Sequence, residues 1–182
     1  MGLRGRSNLT DETFFFITTT VVRFLPVFTN NNVCELLIKN IKYYQKKYCF
    51  KILGYVIMPS HFHWIIQNDP AMGTVSSIMR DIKKYTAWDV LDYLGKSEEY
   101  KRIFESEAEN YLDQKRKLWM PRFDDNVIRT KKEFYGCLKY IHENPVKSGL
   151  VKKQEEYKYS SARNYLLNDH SVLFVDTNVV GY

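Results

Sequence analysis

Two strand-like runs of apolar residues, 50–58 and 61–67, are separated only by a Pro-Ser pair. Such a short break predicts a hairpin of two antiparallel strands. Because side chains alternate between the two faces of a strand, His61 and His63 are expected on one face and Phe62 on the other. Two imidazoles on one face are the beginning of a metal site. The alternative is a hydrogen-bonded pair of histidines on a half-exposed strand.

Beyond the hairpin, the sequence predicts two more strands and four helical segments. The strands are expected at 14–24 and 118–128, and the helices at 33–48, 73–94, 96–117 and 131–143. The charged segment 96–117 contains no Gly or Pro, which predicts a largely exposed helical insertion. The last helix is expected to stop at the Asn144-Pro145 pair. The order β-α-β-β-α-(α)-β-α predicts an α+β fold of the ferredoxin-like split βαβ kind, with helices packed on one face of an antiparallel sheet.

Length and composition narrow the class of protein. A chain of 182 residues with a hydrophobic fraction of 45% indicates one domain, 1–182, with a real core. The net charge of +6 favours an anionic partner, and nucleic acid is preferred to a membrane because no apolar segment reaches spanning length. Three cysteines without Cys-x-x-Cys spacing favour a reducing cytoplasm over a disulfide framework. Residues 1–6 carry two arginines without a following apolar stretch, so no signal peptide is predicted.

The helix predicted at 131–143 carries the remaining candidates for a metal site. Tyr140 and Asn144 are four residues apart and therefore share one face, about 6 Å apart along the helix axis. The negative end of the helix dipole lies there and suits a cation. An amide oxygen together with the imidazoles of His61 and His63 forms a mixed set suited to Mn²⁺ or Mg²⁺. Because all three ligands are neutral, we expect weak metal binding until a substrate phosphate adds charge.

Four neighbours on this helix have plainer interpretations. Glu143 is interpreted as a solvated charge at the helix end rather than a fourth ligand. His142 is interpreted as a surface residue and Cys137 as a small core side chain. Tyr135, five residues before Tyr140, faces elsewhere on the helix.

Basic residues are candidates for contacts with a nucleic-acid backbone. Those on the second predicted helix recur every three or four residues, which a solvated polar face explains as well as a DNA groove does. The candidates are Arg80, Lys83, Lys84, Arg122 and Arg129, with Lys131 and Lys132 beside them. Trp64 and Trp88 could stack on unpaired bases, although packing in a core is the commoner role for tryptophan.

Two segments resemble the signature blocks of the HUH single-tyrosine transposases, and most closely the REP-associated tyrosine transposase branch. They are 55–64 (Tyr-Val-Ile-Met-Pro-Ser-His-Phe-His-Trp) and 138–150 (Leu-Lys-Tyr-Ile-His-Glu-Asn-Pro-Val-Lys-Ser-Gly-Leu). A later segment, 160–165 (Ser-Ser-Ala-Arg-Asn-Tyr), strengthens the resemblance. The charged segment 96–117 is longer than the family core requires, so the path of bound DNA is the part that the resemblance leaves open.

The resemblance implies a role for each candidate. It implies that His61, His63 and Asn144 bind the divalent metal and that Tyr140 is the nucleophile. The expected reaction is attack on a phosphodiester of single-stranded DNA near a hairpin, which leaves a 5′-phosphotyrosine and a free 3′-hydroxyl. Some relatives exchange the tyrosine helix between subunits and others work as monomers, so the resemblance is compatible with a homodimer and with a monomer.

Two other functions are compatible with these residues. The first is a non-catalytic module, descended from such an enzyme, that holds structured single-stranded DNA or RNA. The second is a metal-dependent nuclease that uses water, with Tyr140 in a structural role. The presence of both histidines, the tyrosine and the asparagine favours the strand-transferring enzyme.

Overall fold

The computed structural model describes residues 13–109 and 114–178. The prediction for residues 1–6 and the part of the predicted helical insertion at 110–113 lie outside the described residues. Among the helices that are described, none combines the length and the apolar character needed to cross a membrane.

Four strands form one antiparallel sheet in the spatial order β2-β3-β1-β4. The strands are β1 (Phe14–Thr20), β2 (Lys51–Met58), β3 (His61–Gln67) and β4 (Asp124–Val127). Since β3 lies between β1 and β2 and is antiparallel to both, β1 and β2 run in the same direction with one strand between them. This is the split βαβ arrangement, and the predicted α+β fold with an antiparallel sheet is confirmed.

Five α-helices accompany the sheet, and side-chain caps define the start of the three longest. The helices are α1 (Asn31–Tyr48), α2 (Val75–Leu94), α3 (Glu98–Ser106), α4 (Lys131–Lys147) and α5 (Ala162–Leu167). Asn30 caps α1 and Thr74 caps α2, each by accepting a backbone N–H of the first turn. Thr130 and Glu133 form a reciprocal capping box at the start of α4.

The sheet is covered on both faces. One face of β1, β2 and β3 packs with α1 and α2 in the larger apolar cluster. The opposite face packs against α4, through Phe134, Leu138 and Ile141, in a second and smaller cluster. The expectation that helices lie on one face only is therefore wrong for α4. Side chains alternate between the two faces of each strand, and in this sheet both faces carry apolar side chains that have to be buried.

Three predicted boundaries are also wrong. The first strand ends at Thr20 instead of residue 24, because Arg23 and Phe24 each adopt a left-handed backbone with φ of 53°. The fourth strand is limited to Asp124–Val127 instead of 118–128. In the predicted insertion 96–117, α3 covers only Glu98–Ser106, and this segment is not merely a solvated helix, since Phe104 is fully buried.

The helix that carries Tyr140 continues through Pro145 and ends at Lys147, although a stop at the Asn144-Pro145 pair was expected. Proline removes one hydrogen bond from the helix but does not prevent the following turn. That turn is closed by Ser148 N–H to Asn144 O, at 3.0 Å. Pro145 is itself buried, so packing offsets the lost hydrogen bond.

Candidate active site

Three rings from two elements meet on the α4 face of the sheet. The ring centroids of His61 and His63 are 4.8 Å apart, and those of His63 and Tyr140 are 5.2 Å apart. The histidines lie on one face of β3, as their spacing predicts, and Tyr140 comes from α4, which packs on that face. His63 is buried, whereas 46% of Tyr140 is exposed. The phenol therefore lies against a buried imidazole and is still open to a large substrate.

Hydroxyl groups contact the Nδ1 atom of each histidine. Thr18 pairs with His63 across β1 and β3, and Thr18 Oγ1 lies 2.7 Å from His63 Nδ1. Ser60 Oγ lies 3.2 Å from His61 Nδ1. When Nδ1 donates its proton to such an oxygen, Nε2 carries the lone pair and is the atom available to a metal.

Phe16 supports both His63 and Tyr140. Its ring is stacked with that of His63 at a centroid distance of 5.6 Å and an interplanar angle of 13°. The same ring meets Tyr140 edge to face at 6.0 Å. Phe16 precedes Thr18 by two residues on β1, so both side chains point towards α4. These contacts limit the rotation of the imidazole and of the phenol.

Burial keeps both imidazoles neutral at neutral pH. The pKa of His61 is lowered by burial. Burial, together with the neighbouring His61, lowers the pKa of His63 to about 3. A histidine must be neutral to donate a lone pair to a metal, so both are in the form that ligation requires.

A buried hydrogen bond holds α4 to the rest of the chain beside Tyr140. The imidazole Nε2 of His142 lies 2.8 Å from Ser161 Oγ, which accepts the backbone N–H of Tyr55 at 2.9 Å. His142 is buried, so its interpretation as a surface residue is wrong. Its position fits the apolar stripe of α4, whose members are Phe134, Leu138, Ile141 and Pro145. Burial lowers the pKa of His142 to about 4, so the ring is neutral at neutral pH.

The segment 160–165 thus has a structural role. Ser161 binds His142, and Tyr165 donates its hydroxyl proton to the carbonyl of Leu53 on β2 at 2.8 Å. Asn164 donates to the carbonyl of Leu173 at 2.9 Å. The segment ties α4 and α5 to the central sheet.

Asn144 lies one helical turn beyond Tyr140. Its Oδ1 accepts a long hydrogen bond of 3.5 Å from Ser148 Oγ, and an amide oxygen has a second lone pair that can bind a metal. Glu143 forms ion pairs with Lys139 and Lys147, at 3.6 and 2.8 Å. These ion pairs agree with its interpretation as a charge at the helix end. Cys137 is half-buried beside the smaller apolar cluster.

The donor atoms of this region fit a divalent cation. His63 Nε2 is buried and has no hydrogen-bonding partner among residues 13–109 and 114–178. A buried nitrogen without a partner costs free energy unless another group binds it. His61 and His63 can each offer Nε2, and Asn144 can offer an amide oxygen, which is a set compatible with Mg²⁺ or Mn²⁺. Among the described residues, no three His, Cys, Asp or Glu side chains lie where they could hold a metal ion together. A third protein ligand beside the two histidines would therefore be of another type, such as the asparagine.

A basic groove of about 670 Å³ lies between α2 and the segment 114–122. Seven of its fifteen described lining residues are lysine or arginine, and none of the fifteen is acidic. The seven are Arg80, Lys83, Lys84, Lys115, Arg116, Lys117 and Arg122. This charge makes the groove suitable for a polyanion.

Some of these basic residues also hold the groove together. Lys83 donates to the backbone carbonyls of Met120, at 3.1 Å, and of Arg122. Arg116 donates to the carbonyl of Leu91 at 2.7 Å. The segment 114–122 is thereby fixed against α2.

The five residues predicted to contact nucleic acid do not all lie together. Arg80, Lys83, Lys84 and Arg122 line the groove. Arg129 is exposed just before α4, where its backbone N–H binds Glu133 at 2.7 Å.

A match to a family model covers residues 16–144, which include both histidines, the tyrosine and the asparagine. The description of that family is "Transposase IS200 like". The chain belongs to this family. The predicted resemblance to single-tyrosine transposases is confirmed by this match.

Individual relatives of the IS200-like family agree with the assignment. The chain is 27% identical over 112 residues to the REP-associated tyrosine transposase of Escherichia coli (strain K12), covering 62% of this chain and 54% of the relative. A second relative, from Haemophilus influenzae, is 26% identical over 117 residues, covering 63% of this chain and 60% of the relative. The chain thus matches little more than half the length of these proteins.

A solved structure of an IS200-like relative shares the fold. It is a REP-associated tyrosine transposase bound to a REP hairpin, with a TM-score of 0.65 and 22% sequence identity. The match covers 91% of this chain and 87% of that one.

Sequence reasoning missed three residues of this family member's site, namely Phe16, Thr18 and Ser161. The first two reach His63 only through the register of β1 against β3, and the third reaches His142 from 19 residues away. Sequence could have indicated only the partner of Ser161, because the spacing of apolar residues on α4 places His142 at the edge of the buried stripe.

Proposed function

We propose that the chain cleaves and rejoins single-stranded DNA near hairpins, with Tyr140 as the nucleophile. The observation that carries this proposal is the contact of Tyr140 with His63, at 5.2 Å between ring centroids and within one chain. A tyrosine with an ordinary packing role has no reason to lie against paired imidazoles, one of which has a buried nitrogen without a protein partner. Membership of the IS200-like family supports the same reaction.

The chemistry requires the phenol to attack phosphorus directly. The Oη–P bond forms while the bond from phosphorus to the 3′ oxygen breaks, so the strand is left with a 5′-phosphotyrosine and a free 3′-hydroxyl. The phenol proton goes to solvent, and the leaving oxygen takes up a proton. Phe16 and His63, side by side on the sheet, both contact the phenol ring, which limits the region that its oxygen can reach.

We propose that His61, His63 and Asn144 hold a divalent metal, Mg²⁺ or Mn²⁺. Such a cation would withdraw charge from the scissile phosphate and orient it. Because the three ligands are neutral, the substrate phosphate completes the charge balance. Metal binding should therefore be tighter in the presence of single-stranded DNA than in its absence.

The substrate class rests on the basic groove and on the relatives. The solved relative is bound to a REP hairpin, and this chain carries a basic groove between α2 and the segment 114–122. We propose that Arg80, Lys83, Lys84 and Arg122 contact the DNA backbone from the groove and that Arg129 contacts it beside α4. We further propose that residues 1–182 act as one catalytic domain in the cytoplasm, where the three free thiols stay reduced.

The decisive experiment looks for a covalent adduct. The protein is incubated with hairpin-bearing single-stranded DNA, labelled on the 3′ side of the hairpin, and Mn²⁺, and the products are separated on a denaturing gel. We expect labelled DNA to remain attached to the protein. Tyr140→Phe should abolish this band and leave DNA binding unchanged, because only the nucleophilic oxygen is lost.

Tyr135→Phe is the matched control for that experiment. Tyr135 is on the same helix and is 60% exposed, and its ring packs on Phe134 away from the histidines. This variant should form the adduct as the wild type does. Cleavage that survives Tyr140→Phe would select the water-using nuclease instead. Binding without cleavage in the wild type would select the non-catalytic module.

Whether two chains share one active site in a homodimer is a separate question with its own test. Because Tyr140 already contacts His63 of its own chain, a second subunit is not required to bring these groups together. Mixing a Tyr140→Phe chain with a His63→Ala chain tests this: adduct formation by the mixture would mean that two subunits share the site.

A further inference from the structure

Trp88 is an exposed tryptophan in the wall of the basic groove. It is 58% exposed, whereas Trp64 and Trp119, the other tryptophans of the chain, are 0% and 6% exposed. An indole gains free energy from burial, and more than half of the surface of Trp88 gains none in the isolated chain. Its position beside Arg80, Lys84 and Arg122 places an aromatic surface among positive charges.

Neighbouring side chains hold the Trp88 ring in place. Lys84 Nζ lies 4.8 Å from the centre of the indole, and Tyr85 meets it edge to face at a centroid distance of 5.0 Å. These two residues are one turn or less before Trp88 on α2. A ring held by such contacts loses little conformational entropy when a ligand packs against it.

The combination of an indole with lysines and arginines matches one kind of ligand. Phosphates satisfy the positive charges, and the flat face of an unpaired base stacks on the indole. A DNA duplex keeps its base faces inside the helix, so it could use the charges and not the ring. The lining of the groove therefore favours a single strand over a duplex.

The segment that lines the groove is bonded to the end of β1 that pairs with His61, although α2 and the imidazoles lie on opposite faces of the sheet, so a bound strand reaches the candidate active site round this end of the sheet. The backbone N–H of Met120 in the groove binds the carbonyl of Thr20 at 2.8 Å. Thr20 is the residue opposite His61 in the pairing of β1 with β3. Since neighbouring strands are about 5 Å apart, the end of the groove is about 10 Å from the backbone of His61.

We propose that Trp88 is a stacking platform for an unpaired base of a nucleic-acid strand that lies in the groove and continues to the active site. This inference rests on the proposed function, because it describes how that substrate is held. It assigns the groove to unpaired nucleotides rather than to the stem of a hairpin.

The test uses the fluorescence of Trp88 and two oligonucleotides of equal charge. Tyr140→Phe protein without metal is titrated with oligothymidylate and with an abasic oligodeoxynucleotide of the same length. Oligothymidylate should quench the tryptophan fluorescence, and the abasic strand should not, because only the former carries bases that stack. Trp88→Phe should remove most of the quenching, since Trp64 is buried and Trp119, which also lines the groove, is 6% exposed. Equal effects of both strands, or quenching as strong in Trp88→Phe as in its parent, would overturn the proposal.

Binding affinity gives a second and independent measurement. Trp88→Leu keeps an apolar side chain without an aromatic face, and it should weaken oligothymidylate binding about fivefold to a hundredfold. Trp88→Phe should restore most of that loss, and the affinity for the abasic strand should not change in either variant. Tyr43→Leu removes another exposed aromatic residue, outside the groove on α1, and should have no effect. A duplex that binds as tightly as oligothymidylate, or a loss in Trp88→Leu that is the same for both strands, would contradict the stacking role.

The outcome of these measurements does not depend on whether the covalent adduct forms. They use a protein without the nucleophile and without metal, so no cleavage is needed. A stacking signal without an adduct in the wild type would reject the proposed reaction and keep the platform. An adduct without a stacking signal would reject the platform and keep the proposed reaction.

Discussion

Thr18 Oγ1 lies 2.7 Å from His63 Nδ1 across the pairing of β1 with β3. Together with the stacked ring of Phe16, this contact limits the rotation of the imidazole, whose other nitrogen is the atom proposed to bind the metal. Removing a partner of this kind lowers metal affinity about 10- to 100-fold in other metal sites. We therefore expect Thr18→Val to weaken Mn²⁺ binding by such a factor, as measured by isothermal titration in the presence of single-stranded DNA.

Thr19→Val is the matched control for that substitution. Thr19 is the next residue on β1, points to the opposite face, and has a buried hydroxyl without a hydrogen-bonding partner among the described residues. Its replacement by valine should leave Mn²⁺ affinity unchanged and should not lower the free energy of unfolding, because no hydrogen bond is lost. If both variants lost affinity equally, the Thr18 contact would have no specific role.

Ser161→Ala should loosen the helix that carries Tyr140. The substitution leaves His142 Nε2 and the backbone N–H of Tyr55 buried without their partner. We expect the free energy of unfolding to fall by about 1–3 kcal/mol in urea titrations. Adduct formation should also slow at temperatures where the variant is still folded.

The control for this loss is Ser76→Ala, which removes an exposed hydroxyl from α2. Its free energy of unfolding should lie within about 0.5 kcal/mol of the wild type. A Ser161→Ala protein as stable as Ser76→Ala would mean that the buried contact does not hold α4.

Two glycine substitutions test how closely α4 approaches the sheet. A Cβ atom at Gly54 on β2 would lie 2.8 Å from Leu138 Cδ1 of α4, whereas a Cβ atom at Gly136 would meet nothing within 4 Å. Gly54→Ala should therefore lower the free energy of unfolding by about 1–3 kcal/mol through overpacking. Gly136→Ala should raise it by up to about 1 kcal/mol, because alanine favours a helix interior. Thermal unfolding shows whether each variant is more or less stable than the wild type. An equal change in stability in both variants would show that α4 is not in tight contact with β2.

Asp81 should make the protein sensitive to acid between pH 4 and pH 2. Burial alone would raise the pKa of its carboxyl group, but hydrogen bonds from Tyr48, Lys47 and Arg80 outweigh it and lower the pKa to about 2. A lowered pKa stabilises the fold above the unfolded value near 4, and this contribution disappears as the pH falls through 2. About 2 kcal/mol of stability should be lost over that interval in urea titrations.

Asp81→Asn should be less stable at neutral pH and should lack this part of the acid dependence. Asp92→Asn, which removes an exposed carboxylate from the same helix, should follow the wild-type curve. If the free energy of unfolding fell with pH in the same way in all three proteins, the three hydrogen bonds to Asp81 would not favour its charged form.

The sequence predicted those parts of the molecule that depend on local periodicity. Alternation along β3 is enough to place His61 and His63 on one face, and helical spacing is enough to bring Tyr140 and Asn144 onto one side of α4. The strand order follows from connections that leave few other arrangements. These predictions needed no knowledge of distant contacts.

The errors occur where distant residues decide the structure. Arg23 and Phe24 follow a run of strand-forming residues, but both have a left-handed backbone, and the N–H of Val22 before them binds the carbonyl of the distant Leu118. Pro145 has a strong local preference against a helix, which its burial overrides. The contact of Thr18 with His63 joins residues 45 positions apart, so no local pattern contains it.

The attachment of α4 at two points has a consequence for strand exchange. Phe134, buried in the smaller apolar cluster, holds the start of the helix on the sheet, and the buried contact of His142 holds it two residues beyond Tyr140. If Tyr140 carries a DNA strand as proposed, moving α4 to a distant acceptor would uncover this apolar cluster and break the His142 contact. An acceptor end that travels to the phosphotyrosine leaves both in place, so we expect rejoining to depend on the flexibility of the DNA.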